Sequence, residues 1–209
     1  MFDENSIVIG IDVGGPKKGF HAVALNEGRY WEKFATPDAA SMAEWCRRIG
    51  ARAVGVDAPC RWSLTGRARP AERALAAEGI HSFATPSRAA AENRDFYRWM
   101  INGAELFRLL EAHYPLFDGG NATSGPVCFE TFPQAVACAL AGKVVSAKRK
   151  SAVRRELLRE AGIDTAPLTT VDTVDTVDAA LCALAAHSLL AGSYKTYGDA
   201  TEGLIVVPA

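Results

Sequence analysis

Three apolar segments of strand length, each followed by a proline, carry one acidic residue apiece: Asp12, Asp57 and Glu130. A carboxylate inside a central strand costs several kcal/mol unless a cation or hydrogen bonds compensate for its burial. Glycine and proline after each acid mark the point at which the strand breaks. Three strands that each present a carboxylate therefore predict a cation site.

Two further acids precede a helix near the end of the sequence. Asp175 and Asp178 are three residues apart and share a face once the chain is helical. The helix that follows, at 179–191, is rich in small residues, which allow it to pack closely on a sheet and to bring its first turn near the strand ends. The alternative is that both acids only stabilise the helix, because carboxylates are favoured at a helix N-terminus.

Basic residues accompany these acids. Lys17 and Lys18 follow the first acidic strand, and residues 143–159 hold seven basic side chains against the single acid Glu156. The guanidinium fork matches the geometry of a phosphate group, so these side chains are candidates for phosphate contacts. A solvated helix face is the simpler interpretation of the basic run. The candidate phosphate-binding residues are Lys17, Lys18, Arg73, Lys148 and Arg154.

The elements that must position these residues alternate between strands and helices. Apolar runs predict strands at 6–13, 19–25, 29–35, 53–57 and 126–132, with a last short strand at 204–207. Amphipathic or small-residue patterns predict helices at 36/38–48, 71–78, 95–114, 133–142 and 179–191. Residues 60–125 are then a helical insertion after the fourth strand. We predict one α/β domain that spans residues 1–209.

The composition is that of an ordinary globular protein, with 49% hydrophobic and 22% charged residues. The net charge of -1 gives no overall attraction to nucleic acid or to anionic membranes. Five cysteines without metal-finger spacing indicate a reducing compartment. An acidic N-terminus and the lack of an apolar run of ~20 residues predict a cytoplasmic protein that does not enter a membrane. Exposed aromatics around Trp31, Trp45 and Trp62 leave room for a homodimer.

Four short motifs, in this order, make the sequence similar to the DUF429 family: Gly10-Ile-Asp12 with Pro16-Lys-Lys-Gly19, Val56-Asp-Ala-Pro59, Glu130-Thr-Phe-Pro133 and Asp175-Thr-Val-Asp178-Ala-Ala. The resemblance implies an RNase H-like (ribonuclease H-like) fold, a mixed five-stranded sheet flanked by helices with a helical insertion after the fourth strand. It also implies a nuclease, an activity that is itself a prediction for the family. After the fourth strand, the family pattern has an arginine and an acid before a glycine. This sequence matches that pattern loosely, with Arg67, Glu72, Arg73 and Gly79.

The resemblance implies a two-metal site, in which Mg²⁺ or Mn²⁺ ions about 4 Å apart hold the attacking and leaving oxygens of a phosphodiester. Asp12 would bridge both ions, Asp57 would bind one and Asp178 the other. Glu130 would complete the second ion or orient the attacking water, and Asp175 is the alternative helix ligand. Carboxylates suit Mg²⁺ because this ion prefers hard oxygen ligands.

Two other functions stay open. The turn at 10–15 resembles the first phosphate loop of sugar kinases and actin-like ATPases, the ASKHA-type phosphotransferases, although those proteins need two related domains. A nucleic-acid-binding protein that keeps the fold without catalysis is the other possibility. We predict a metal-dependent nuclease, whose nucleic acid substrate binds weakly and in a salt-sensitive way through local basic patches.

Overall fold

One mixed sheet forms the centre of the protein. The computed structural model describes residues 6–122, 125–146, 148, 150–164, 166–168 and 174–209. Within these residues the sheet has seven strands, with the bounds β1 Ile7–Val13, β2 Phe20–Asn26, β3 Arg29–Thr36, β4 Ala53–Asp57, β5 Val127–Glu130, β6 Tyr194–Asp199 and β7 Gly203–Pro208. The prediction of an α/β fold with a mixed sheet is confirmed. The five-stranded sheet that the resemblance implied is wrong, because β7, which contains the last strand predicted at 204–207, and β6 extend the sheet beyond β5.

The strands lie in the order β3-β2-β1-β4-β5-β7-β6. β1, β4, β5 and β7 are parallel, whereas β2 and β6 run antiparallel to their neighbours. Parallel strands end at the same edge of a sheet, and in open α/β sheets this edge is where ligands bind. The sequence did not indicate β6 because most of its residues are polar and solvent-accessible, as is usual for an edge strand.

Seven α-helices and one 3₁₀ turn flank the sheet in the described part of the chain. Their bounds are α1 Ala39–Arg48, α2 Pro70–Ala77, α3 Arg88–Glu92, the 3₁₀ turn Asp95–Tyr97, α4 Arg98–Leu110, α5 Pro133–Ala141, α6 Lys150–Glu160 and α7 Val174–Leu190. α2, α3 and α4 lie between β4 and β5, in the segment predicted as an insertion. No helix in the described residues combines the length with the apolar composition that crossing a bilayer requires.

Apolar side chains cover both faces of the sheet. α7 and α5 pack on one face, where Val8 of β1 joins their core. α1 and α4 pack on the other face, against Ile9 and Ile11. Because successive residues of a strand point to opposite faces, Gly10 and Asp12 lie on the same face as Val8, towards α7.

α7 lies directly against β1 and β4 because two glycines leave room for its backbone. A Cβ atom added at Gly10 would collide with the backbone of α7 at Ala179 and Ala183. A Cβ atom added at Gly55 would come within 2.8 Å of the Cys182 carbonyl oxygen. This contact confirms the close packing predicted for the small-residue helix, and it fixes where the first turns of α7 lie.

The three tryptophans considered for a dimer contact differ in exposure. Trp45 is buried, its ring stacks on Phe34 with centroids 5.3 Å apart, and its Nε1 donates a hydrogen bond to Glu32 over 3.2 Å. Trp62 is half-buried, and Trp31 is exposed. The expectation that Trp45 is exposed is therefore wrong, since this side chain fills the core between α1 and the sheet.

Candidate functional site

Asp12 and Asp57 lie side by side at the carboxyl ends of neighbouring parallel strands. In the register of β1 and β4, Asp12 pairs with Asp57. Gly10, two residues earlier in β1, pairs with Gly55. Neighbouring strands lie about 4.8 Å apart, and paired residues point to the same face. Since both glycines contact α7, both aspartates point to the α7 face of the sheet.

α7 brings two more carboxylates to this edge. Asp175 and Asp178 lie in its first two turns, and both side chains are buried. The tight contact of α7 with Gly10 places these turns near the ends of β1 and β4. The sequence left open which of Asp175 and Asp178 faces the strands. In the structure both side chains face inward. We refer to the four residues Asp12, Asp57, Asp175 and Asp178 as the aspartate cluster.

Burial and neighbouring negative charges raise the pKa values of Asp12 and Asp57. Burial is the main cause that raises the pKa of Asp12 to about 7, and the charges of Asp178 and Asp175 add to it against the effect of two nearby lysines. Burial, followed by the charges of Asp12 and Asp178, raises the pKa of Asp57 well above its usual range. At neutral pH Asp12 is therefore divided between its protonated and ionised forms.

Cations of the chain neutralise the two helix aspartates. Lys18 Nζ lies 2.7 Å from Asp175 Oδ1. Arg154 donates a hydrogen bond to Asp178, and Lys150 Nζ lies 3.6 Å from the other oxygen of that carboxylate. The structure thus brings the predicted phosphate-binding residues Lys18 and Arg154 to the cluster. It adds Lys150, which the sequence indicated only as one member of a basic run.

Arg154 is deeply buried for a charged side chain, with 5% of its surface exposed. Its Nη2 donates to Gln134 Oε1 over 3.0 Å, and its Nη1 donates to Asp178. The Nε atom of Arg154 has no acceptor among the described residues. Because an unpaired buried cation is costly, the charge of Asp178 holds this guanidinium in place.

Asp12 and Asp57 make no hydrogen bond or ion pair with any residue that the structure describes. Asp57 is half-buried and lines a small pocket at the strand ends together with Phe83 and Trp99. Carboxylates that are crowded, largely buried and unpaired are stabilised by an external cation.

Glu130 lies on the opposite face of the sheet from the aspartate cluster. The register of β4 and β5 pairs it with Val56, one residue before Asp57, and an offset of one residue reverses the face. Arg69 holds its carboxylate, with distances of 2.6 Å from Nη2 to Oε1 and 2.8 Å from Nη1 to Oε2. The Cys60 backbone amide donates to the same Oε2 over 2.8 Å. The structure therefore does not bring Glu130 to the cluster as the metal ligand that the sequence predicted.

Arg69 is a buried residue that the sequence did not single out. Besides Glu130, its guanidinium contacts Glu72 over 2.9 Å from Nε to Oε1. Glu72 also accepts hydrogen bonds from the Thr85 backbone amide over 3.1 Å. We call these four residues the Arg69 network. The predicted Arg73 is exposed instead and donates to a nearby backbone carbonyl. A signal was available, because Arg69 stands three residues before Glu72 at a helix start marked by proline.

The remaining candidate phosphate-binding residues make no ion pair with the aspartate cluster in the part of the chain that the structure describes. Lys17, Arg73 and Lys148 are all exposed. Arg149 of the basic run and Asp172, before α7, lie outside the described residues. The positive charge at the cluster therefore comes from lysine and arginine side chains of the β1–β2 turn and of α6.

The aspartate cluster fits a hard divalent cation in its donor chemistry. Among the described residues, no group of three or more histidine, cysteine, aspartate or glutamate side chains is arranged to hold a metal ion. The donors of the cluster are all oxygens, the ligands that Mg²⁺ and Mn²⁺ prefer. Asp12 and Asp57 offer two unpaired carboxylates, whereas a third ligand requires Asp175 or Asp178 to leave its cation.

Comparison with known proteins supports the resemblance noted in the sequence. Residues 10–202 match the family described as "Protein of unknown function (DUF429)". The match includes every member of the aspartate cluster and every residue of the Arg69 network. No curated protein and no solved structure is significantly similar to the chain.

Proposed function

The chain belongs to the DUF429 family, and we propose that it is a divalent-metal-dependent phosphodiester hydrolase whose substrate is a nucleic acid. One observation carries this proposal. Asp12 and Asp57 are adjacent, have no cation partner among the described residues, and face two further aspartates of α7. Strongly perturbed carboxylates at the ends of parallel strands favour a functional site over a structural ion pair.

We further propose that the domain, residues 1–209, has an RNase H-like arrangement. The order β3-β2-β1-β4-β5, with β4 and β5 parallel to β1 and β2 antiparallel to both its neighbours, supports it. The packing of a helix that carries acids against β1 supports it as well. β7 and β6 are then additions on the far side of β5.

In this proposal the residues of the chain have separate roles. Asp12 and Asp57 would hold the pair of ions, joined by Asp175 and Asp178 once these leave their cations. When bound, Mg²⁺ or Mn²⁺ stabilises charge on the phosphate oxygens and activates water. Lys18 and Arg154, once released from the helix aspartates, contact the phosphate, because lysine and arginine bind phosphate through charge-assisted hydrogen bonds.

The test is cleavage of labelled single strands, duplexes and branched substrates of DNA and RNA, with Mg²⁺, with Mn²⁺ and with EDTA. We expect cleavage that requires the ion, and we expect Asp12→Asn and Asp57→Asn to reduce the rate by roughly 100-fold or more, because each removes a direct ligand. Asp118→Asn, which changes an exposed acid outside the cluster, is the matched control and keeps full activity. Cleavage in EDTA, or undiminished cleavage by Asp12→Asn, would reject the proposal.

A second candidate is a nucleic-acid-binding protein without catalysis, and one observation favours it. Lys18 and Arg154 already neutralise Asp175 and Asp178, so half of the cluster is satisfied by the chain itself. A thermal shift with Mg²⁺ or Mn²⁺ distinguishes the two functions. The hydrolase is stabilised by the ion, and this response is lost in Asp12→Asn. The non-catalytic protein is indifferent to the ion and binds nucleic acid equally well in EDTA.

A further inference from the structure

Two exposed phenylalanines form a contact on the surface of the insertion. Phe83 and Phe96 are 63% and 56% exposed. Their ring centroids are 5.1 Å apart, and the rings meet edge to face at 82°. Of the large hydrophobic side chains exposed in the described residues, these two are the ones in mutual ring contact. We call Phe83 and Phe96 the aromatic ledge.

The aromatic ledge lies beside one member of the aspartate cluster, Asp57, at a pocket that the Arg69 network also lines. Phe83 and Asp57 line the same pocket, together with the half-buried Trp99. About 50 Å³ of this pocket is open to water-sized molecules, which is room for water. Next to this pocket, the exposed rings of the ledge offer a flat apolar surface to a planar ligand bound beside Asp57.

The segment that carries Phe83 is anchored to the sheet. Thr85, two residues further on, is fully buried and donates its backbone N–H and its hydroxyl to Glu72. Glu72 is held by Arg69, and Arg69 is held by Glu130 at the end of β5. The backbone next to Phe83 is thus anchored to the strand ends before any ligand arrives, which lowers the entropic cost of binding there.

We propose that the aromatic ledge stacks an unpaired nucleobase of a strand whose phosphate lies at the aspartate cluster. This inference rests on the proposed function and narrows its substrate to single-stranded or locally unpaired nucleic acid. Every base has a flat π face, so stacking on phenylalanine binds strands without a sequence requirement. In a continuous duplex each base is stacked on its neighbours and is not free to lie on a protein ring.

Binding of labelled oligonucleotides with non-hydrolysable phosphorothioate linkages in the presence of Mg²⁺, measured by fluorescence anisotropy, tests the ledge apart from catalysis. We expect Phe83→Ala to weaken single-strand binding by roughly 5- to 150-fold, as base–aromatic stacking energies imply, and to leave duplex binding unchanged. Phe83→Tyr keeps an aromatic ring and is expected to keep the affinity. Leu64→Ala, which removes an exposed apolar side chain that has no ring, is the matched control and binds like the unmodified protein.

A single abasic nucleotide moved along the strand then locates the stacked base. At one position the missing base weakens binding to the unmodified protein but does not weaken binding to Phe83→Ala any further. This coupling is what a direct contact between the base and Phe83 produces. Additive losses at every position overturn the inference. So does a Phe83→Ala variant that binds single strands normally, or one that only dissociates a dimer, which would assign the ledge to contact with a second copy.

The two proposals fail in different ways. Metal-dependent cleavage that is indifferent to Phe83 and Phe96 rejects the ledge and leaves the hydrolase. Coupling between Phe83 and one base, in a protein that never cleaves, supports the ledge as a base-binding surface and rejects the hydrolase.

Discussion

Asp12 and Asp178 belong to the same cluster, but only Asp178 is paired with a cation of the chain. Asp12 has no cation partner among the described residues, and its pKa is raised to about 7, mainly by burial. Asp178 is paired with the buried Arg154. Removal of the negative charge therefore has opposite effects on folding at the two positions, although both substitutions are Asp→Asn.

We expect Asp12→Asn to stabilise the metal-free protein above pH 7. The unfolded chain loses this proton near pH 3.8 and the folded chain near pH 7. The stability of the unmodified protein therefore falls as the pH rises between these values, by up to about 4 kcal/mol from this group. Urea unfolding in EDTA is expected to show equal stability of the two proteins near pH 4 and a more stable variant at pH 8. A difference that does not change with pH contradicts the perturbed pKa.

Asp178→Asn is expected to destabilise the protein by about 3–5 kcal/mol, because it leaves the buried Arg154 without a counter-charge. Urea unfolding at neutral pH measures the loss. The double variant Asp178→Asn with Arg154→Met removes the stranded charge and is expected to regain part of the stability.

Glu156→Gln serves as the control for Asp178→Asn. It breaks an exposed ion pair between Glu156 and Arg159, both of which lie on α6. This change is expected to leave the unfolding midpoint unmoved, since exposed pairs contribute little. Equal effects of Asp178→Asn and Glu156→Gln would show that Arg154 does not depend on Asp178.

At the scale of elements, the contact between α7 and β1 decides where the helix aspartates lie. In this contact, Gly10 of β1 packs directly against the α7 backbone at Ala179 and Ala183. The helix cannot approach a strand so closely where the strand carries any side chain larger than hydrogen. The position of Asp175 and Asp178 relative to Asp12 is therefore set by a residue that has no side chain.

Gly10→Ala is expected to destabilise the protein by about 1–3 kcal/mol or more, because the new methyl group overlaps the backbone of α7 and this backbone has to move. The same shift moves the helix aspartates away from Asp12, so the thermal response to Mg²⁺ is expected to weaken as well. Gly125→Ala, at a glycine with open space around its Cβ position, is the control for both measurements. An unaffected Mg²⁺ response in Gly10→Ala would separate the packing of α7 from the cation site.

The sequence predicted the elements of the site better than their relative positions. Asp12 and Asp57 were identified from single acids in apolar strands, and the small residues of α7 indicated its close packing. The sequence could not show which face of the sheet carries Glu130. That face is set by the pairing of Glu130 with Val56 and not with Asp57, and a single sequence does not reveal the register between strands. Arg69 was passed over for Arg73 because its burial arises from partners distant in the chain.

At the scale of the whole molecule, the net charge of -1 means that attraction to a polyanion has to come from local charges. The cations at the aspartate cluster are Lys18, Lys150 and Arg154. They lie at the carboxyl-end edge of the parallel strands. A nucleic acid strand is therefore expected to bind at this edge, with an affinity that depends on a few ion contacts.

With Mg²⁺ present and a non-hydrolysable strand, three phosphate contacts at the cluster predict a slope of about −2 when the logarithm of the single-strand binding constant is plotted against that of the salt concentration. Lys150→Gln removes one contact and is expected to flatten this slope by about 0.7. Lys195→Gln, which changes a lysine paired with Glu78, is the control and leaves the slope unchanged. Equal slopes for all three proteins would place the bound strand elsewhere on the surface.

The pairing of Lys18 with Asp175 and of Arg154 with Asp178 has a consequence for any incoming dication. Both aspartates carry tethered counter-ions, whose local concentration does not fall when the protein is diluted or dialysed. Loading is then an exchange, in which an ammonium or guanidinium group is displaced as the dication arrives. Exchange at Asp175 frees Lys18, whose side chain is 61% exposed, so we expect uptake of the dication and a gain in attraction for polyanions to occur as one event.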